Sequence, residues 1–235
     1  MRILGIETSS LVAGVAILTD DVITGEYNIN HKKTHSQTLM PMIEEICNMT
    51  EIRPDMLDAI AVSSGPGSFT GLRIGSASAK GMGLALDIPL IHVPTLEAMA
   101  YNLWGTDKYI CPIMDARRNQ VYTGVYHFDK NGNICTDIEQ CAISIDDLLE
   151  KTGNFDKELI FVGDGVPVFK DTILEKGRNT YLFAPAHMNR QRGAGVAMLG
   201  KEYFLAGKTE SAKAHVPDYL RLSQAERERQ EKENA

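Results

Sequence analysis

The chain has 235 residues, 43% of them apolar and 23% charged, with a formal net charge of -7. That length buries a sizeable core, as one large α/β domain or as two of about 110 residues each, and the balance excludes a disordered chain. The negative charge argues against a protein that grips a polyanion alone, because Lys and Arg contacts supply most nonspecific affinity for phosphate backbones.

Three short strands are expected first, Arg2 to Glu7, Val12 to Leu18 and Val22 to Ile29, with Asp20 and Asp21 at a hairpin turn. The opening MRILGIETSS gives only four largely apolar positions before Glu7, too few for a secretory signal. Later apolar runs are broken by charge, Gly or Pro well before the ~18 residues of a membrane span. The expectation is a cytoplasmic protein without membrane contact.

An amphipathic helix follows over His35 to Thr50, with Leu39, Ile43 and Ile46 at helical spacing. Pro41 distorts it locally unless the helix starts near Gln37. Ala59 to Ser63 is a buried strand, Leu72 to Leu86 a second helix, Leu90 to Val93 a strand, Thr95 to Trp104 a third helix and Gly105 to Lys108 a linker. Strands alternating with helices imply parallel pairing.

The second half restarts this plan. ILGIETSSLVAGVAI and ICPIMDARRNQVYTGVY both run strand, acidic residue (Glu7 or Asp115), polar turn and strand with Gly (Gly14 or Gly124), then enter a hairpin turn, DD in one and DKNGN in the other. A helix from Asp146, a strand over Leu159 to Val162 and a helix over Val168 to Lys176 continue the pattern. The predicted fold class is therefore α/β, a duplicated βββαβα of the actin-like (ASKHA) kind in two small subdomains, residues 1–105 and 106–222. A charged tail over 223–235, containing AERERQEKENA, reads as a solvated helix or frayed end.

The strongest local signal is SSGPGSFTGLRIGSASAKG, Ser63 to Gly81, a strand feeding a helix through a Gly-rich turn. Free amides at the helix start favour an anion against Gly65, Gly67, Ser68 and Thr70. Equally, the glycines shape a turn around Pro66 while Thr70 caps the helix. No Lys-Ser/Thr follows, so this is not a Walker loop. Gly71, Gly75, Ala79 and Gly83 form a smooth ridge, for a second subunit or for the chain's own sheet.

His31 and His35 are four apart, but Lys32 and Lys33 between them oppose a metal ion, so surface histidines and no metal site are expected. Lys32 with Lys33, and Arg117 with Arg118, are small basic pairs that read as solvated surface. Cys47, Cys111, Cys135 and Cys141 lack CxxC spacing and read as reduced, buried thiols. Glu7 and Asp115 are carboxylates at matching strand ends, for magnesium and water or for capping turns. VGDG, Val162 to Gly165, is a weak candidate for approach to a nucleotide.

ILGIETSS, HSQTLMPMI, SGPGSFTGLRIGSASAKGMGLAL, PLIHVPTLEAMA, MDARRNQVY and PDYLR occur in this order over most of the chain, and together they resemble the TsaB (YeaZ) family of the glycoprotease-like superfamily. The resemblance implies a non-catalytic scaffold in tRNA threonylcarbamoyladenosine synthesis. It further implies a homodimer that assembles with the catalytic paralogue TsaD and the ATPase TsaE, and reaches tRNA only through that complex. No tightly bound cofactor is expected; ATP or ADP at the TsaD junction is the candidate ligand.

The family's shared dimer face, built on the first two helices, makes Leu39, Ile43, Gly71, Leu72, Gly75 and Ala79 the interface candidates. The catalytic paralogue carries a His-x-x-x-His metal pair after the strand matching Leu90 to Val93, where this chain has Thr95 and Met99. Glu7 stands where the family commonly shows Asp. The alternative is an autonomous actin-like phosphotransferase or glycoprotease-like peptidase, and a third reading, direct tRNA binding, is disfavoured by the acidic balance.

Overall fold

The computed structural model describes residues 1–220; the charged tail predicted over 223–235 lies outside the described residues. β1 (Arg2–Glu7) pairs antiparallel with β2 (Val12–Thr19), Glu7 opposite Gly14, and β2 pairs with β3 (Val22–Asn30). Asp20 makes the hairpin turn with φ 52°, a left-handed conformation that Asp tolerates better than most residues. α1 (His35–Thr50) turns Leu39, Met42, Ile43, Ile46 and Cys47 inward. It starts ahead of Gln37, so Pro41 lies in its second turn, on the exposed side.

β4 (Ala59–Ser63), α2 (Phe69–Leu86), β5 (Leu90–Val93) and α3 (Thr95–Tyr101) follow. α2 begins a turn earlier than its apolar pattern suggests. Its cap is Ser68, whose hydroxyl accepts from the Gly71 amide at 3.3 Å, rather than Thr70. β1 pairs parallel with β4, and β4 with β5, giving the sheet order β3-β2-β1-β4-β5.

The second half comprises β6 (Tyr109–Asp115), β7 (Gln120–Phe128), β8 (Ile134–Ser144), α4 (Ile145–Thr152), β9 (Leu159–Val162), α5 (Val166–Lys176) and β10 (Tyr181–Phe183). Its sheet order, β10-β9-β6-β7-β8, repeats the first when each strand is matched to its counterpart five earlier. The duplication is real, but its register is looser than the sequence suggests. Glu7 faces Gly14, whereas Asp115 faces Val121, and Gly124 falls where the β7 pairing with β8 is irregular.

Alternation along the strands builds two cores on each sheet. Leu4, Ile6, Val15 and Ile17 pack under α1, while Ile3, Ala16 and Leu18 face the opposite way, toward Val196, Ala197 and Leu199. Those last three belong to α6 (Gly193–Leu205), a helix the sequence reading missed. In the second sheet, Ile113, Val121 and Phe161 pack with α4 and α5, and Ile110, Met114 and Val162 with α3. α3 and α6 thus lie between the sheets. The division at residue 105 separates the strands, but α6 belongs spatially to the first sheet and crosses that boundary.

α6 sits close to the strands because glycines leave room: a side chain on Gly5 would meet the Gly193 carbonyl and Ala197, and one on Gly14 would meet the Gly193 amide. Arg192 reaches Glu26 of β3 with its guanidinium, and the Ala194 amide donates to the same carboxylate at 3.1 Å. Among the described residues no helix is long and apolar enough to cross a membrane. All four cysteines are free; Cys47 and Cys111 are buried as expected, but Cys135 and Cys141 are only half-buried. Burial pushes the Cys111 thiol up to about 12, which keeps it unreactive.

Candidate functional site

A cleft of about 840 Å³ opens between the two halves, within the range of small-molecule sites. Its walls come from four places that the topology brings together: the β1–β2 turn at Ser9 and Ser10, the start of α2, the β6–β7 turn at Asp115 and Arg117, and Asp164 after β9. Lys32, Lys33 and His35 close one side, Asp218 and Tyr219 another.

Asp115, Asp164 and Asp218 put carboxylates on this cleft, and Glu7, which is buried and does not line it, feels the charge of Asp164. Glu7, buried at the end of β1, accepts from the Ser9 amide at 2.6 Å. Burial pushes its carboxyl up to about 7 against the pull of hydrogen bonds from Ser9 and Ser63, and the negative charge of Asp164 adds to the rise. Asp164 is itself held above the usual carboxylate range by burial, although Gln191 donates to it at 3.2 Å. Asp115 accepts from the Arg117 amide at 2.8 Å. That turn is strained: Arg117, Arg118 and Asn119 all have left-handed φ, 65°, 54° and 58°. Glu7 and Asp115 stand at matching strand ends, as their positions suggest, while Asp164 was visible only as a short Gly turn.

The anion candidates divide. Gly67, Ser68 and Thr70 line the cleft, whereas Gly65 does not. Gly65 is buried at φ 125°, pressed against the Asp218 backbone, and its role is the turn. Part of the α2 start is already committed within the chain: the Ser68 amide donates to the Ser9 carbonyl at 2.6 Å and the Gly71 amide to Ser68 Oγ. Gly67 has no space for a side chain because the Ser9 carbonyl occupies it.

The ridge on α2 resolves toward the chain's own sheet. Gly71 and Gly75 rest on Thr8, and Gly83 on Leu90 and Ala212. All six interface candidates, Leu39, Ile43, Gly71, Leu72, Gly75 and Ala79, are buried within the chain, since α1 and α2 must cover their sheet. The surface those helices offer outward includes Met40, Glu44, Glu45 and Met49 on α1 and Arg73, Ala77, Gly81, Leu84 and Ala85 on α2. On α1 the apolar spacing of Leu39, Ile43 and Ile46 already marks the inward face, whereas on α2 the small-residue spacing shows a close approach without saying to what.

The histidine reading needs one correction. His31 is exposed in a turn, but His35 is buried, its Nε2 2.8 Å from the Ser10 carbonyl, so the pair does not share a face. Lys32, Lys33, Arg117 and Arg118 are exposed, as solvated cations should be. Thr95 and Met99 are buried on α3; the Thr95 amide donates to the Gly65 carbonyl at 2.8 Å, and the Met99 sulfur packs by Gly163.

The family described as TsaD, tRNA N6-adenosine threonylcarbamoyltransferase, matches residues 24–229. The tRNA threonylcarbamoyladenosine biosynthesis protein TsaB of Bacillus subtilis (strain 168) is 38% identical over 228 residues, covering 96% of this chain and 96% of its own. TsaB of Escherichia coli (strain K12) is 30% identical over 227 residues, covering 94% and 95%. Among solved structures, YeaZ from Pseudomonas aeruginosa superposes with a TM-score of 0.77 at 22% identity, covering 93% of this chain and 99% of that one. A Pseudomonas aeruginosa protein described as similar to peptidase YEAZ gives 0.78 at 21%, covering 94% and 99%. The likeness to these two structures is one of fold.

Proposed function

The chain belongs to the TsaB family of tRNA threonylcarbamoyladenosine biosynthesis proteins, and from its part in that synthesis we propose that it is a non-catalytic subunit which docks a TsaD-type threonylcarbamoyltransferase and holds it competent. One observation carries the non-catalytic reading. At the α3 positions where the catalytic paralogue has two ligating histidines, this chain has Thr95 and Met99, each 1% exposed, and neither a hydroxyl nor a thioether suits an imidazole-type iron or zinc site.

Docking uses the outward face of α1 and α2. Exposed Met40, Met49 and Leu84 give it apolar contact area, and Ala77, Gly81 and Ala85 let a partner helix approach closely. A homodimer through the same face competes with the TsaD complex. ATP or ADP at the junction uses the cleft beside Gly67, Ser68 and Thr70, a TsaE-type ATPase joins the assembly, and tRNA is reached through the complex in the cytoplasm.

A second reading, an autonomous actin-like phosphotransferase, is favoured by Asp115 and Asp164 lining one cleft, with the buried Glu7 carboxyl coupled to Asp164. Size-exclusion chromatography with light scattering, run with and without TsaD and followed by tRNA modification and ATP-turnover assays, separates the two. A heavier species and modification only with TsaD are expected. Robust ATP turnover or tRNA modification by the isolated chain overturns the scaffold reading.

A further inference from the structure

A second cluster of ionisable side chains lies away from the cleft, at the β5 edge of the first sheet. Glu210 is bridged to this strand through two main-chain hydrogen bonds with Leu90, each 2.9 Å. His215 follows five residues later, fully buried, with Nδ1 2.6 Å from Glu210 Oε1. His92 of β5 brings its own Nδ1 to 3.9 Å from the same oxygen. One ligand atom from each of His92, Glu210 and His215 lies within 4.8 Å of the others.

A hydrogen bond accounts for His215 on Glu210 but not for the second imidazole. At 3.9 Å His92 Nδ1 is too far to donate, yet it is near the separation of two ligands on one small ion. Donors at ~2.05 Å around a tetrahedral centre stand about 3.4 Å apart, so small side-chain rotations bring the three to that spacing. The far nitrogen of His92, Nε2, is 3.0 Å from Asp218 Oδ2, the outer carboxylate that orients a metal-bound imidazole. Glu210 and Asp218 supply two negative charges; the nearby Lys80 ammonium is turned onto the Lys213 and His215 carbonyls.

We propose that His92, Glu210 and His215 bind one zinc-class divalent cation and clip the segment 210–218 to the edge of the first sheet. Two imidazoles and a carboxylate select zinc or a neighbouring late first-row ion over magnesium or calcium, and three protein ligands leave a fourth position for water. The clip bears on the cleft. Asp218, whose side chain backs His92, donates its amide to the Ser64 carbonyl at 2.6 Å and so holds the turn leading into α2.

The test is zinc titration of the chelator-stripped full chain by calorimetry, with metal content counted after gel filtration and thermal melting alongside. One zinc per chain is expected, with a raised melting midpoint and no comparable effect of magnesium. His92 and Glu210 are half-exposed, so His92→Ala and Glu210→Gln should keep the far-ultraviolet circular dichroism of the parent while losing at least tenfold in zinc affinity. Asp218→Asn should lose about tenfold, and His31→Ala, exposed elsewhere, should lose nothing. Absence of saturable zinc binding by the parent chain overturns the proposal whatever the variants do, as does full retention by both His92→Ala and Glu210→Gln.

Discussion

The hydroxyl of Thr8 occupies the space that a side chain on Gly75 would need. Thr8 sits just beyond β1 and is fully buried, and Gly75 faces it from α2, so the helix lies on the sheet at backbone contact. Replacing Gly75 with Ala gains helix propensity of about 1 kcal/mol but forces Thr8 or the helix to move, at about 1–3 kcal/mol. The expected outcome is a net loss of up to about 2 kcal/mol, read as a lower urea midpoint with an unchanged slope. Gly75→Arg should fail to accumulate as folded protein, so loss of a partner from that variant reports on the fold and not on docking.

Gly81, six residues on, points the other way, and nothing lies within 4 Å of a side chain built there. It is exposed in the interior of α2. Gly81→Ala should therefore stabilise the chain by about 0.5–1 kcal/mol through the unfolded state and helix propensity. Gly81→Arg should fold normally and, on the docking proposal, lose the TsaD complex in light scattering. A Gly81→Arg chain that still forms the complex and supports tRNA modification removes the outward face of α2 from the interface.

The contrast between these two glycines marks what was legible in the sequence. Alternation and turn residues located β1, β4, β5 and β9, because buried strands with short connections leave few other options. The spacing of Gly71, Gly75, Ala79 and Gly83 revealed a close approach but not its direction, which only the position of Thr8 decides. β10 is three residues long and partly exposed, too short for a periodic signal. α6 is apolar on most sides because it lies between two sheets, so it lacks the amphipathic stripe that betrays a surface helix. Long-range juxtaposition was hidden altogether: Asp164 reaches Glu7, and His215 reaches His92, only through the fold.

Glu7 gives the stability a pH dependence with a definite sign. Its carboxyl titrates near 7 in the folded chain against 4.5 for the ordinary group, so between those values the native state binds the extra proton. The stabilisation is full below pH 4.5 and is lost as pH rises through 7, with an upper size of about 3 kcal/mol. Denaturation at pH 5 and pH 8 should show the parent losing more stability than Glu7→Gln, whose amide needs no proton and still accepts from Ser9. A residual slope in the variant is expected from Asp164, which is shifted in the same direction. Parallel pH curves for parent and variant contradict the assignment.

Arg192 and Glu26 join the N-terminus of α6 to β3, 166 residues apart in the chain. Burial pushes the Glu26 carboxyl up, but the Arg192 guanidinium, Asn28 and the Ala194 amide outweigh it and hold the group below its usual range. Stability from this pair is therefore present above pH 4.5 and lost as pH falls through the lowered value, opposite in sign to Glu7. Arg192→Met should cost about 1–3 kcal/mol at pH 7, because Glu26 is left half-buried without its cation. It should also flatten the acid limb of the stability curve. Adding Glu26→Gln should recover part of the loss, since a neutral amide keeps the bond from the Ala194 amide without a charge to desolvate. A double variant no more stable than Arg192→Met alone would mean that the guanidinium acts through its packing against the strand rather than through the carboxylate.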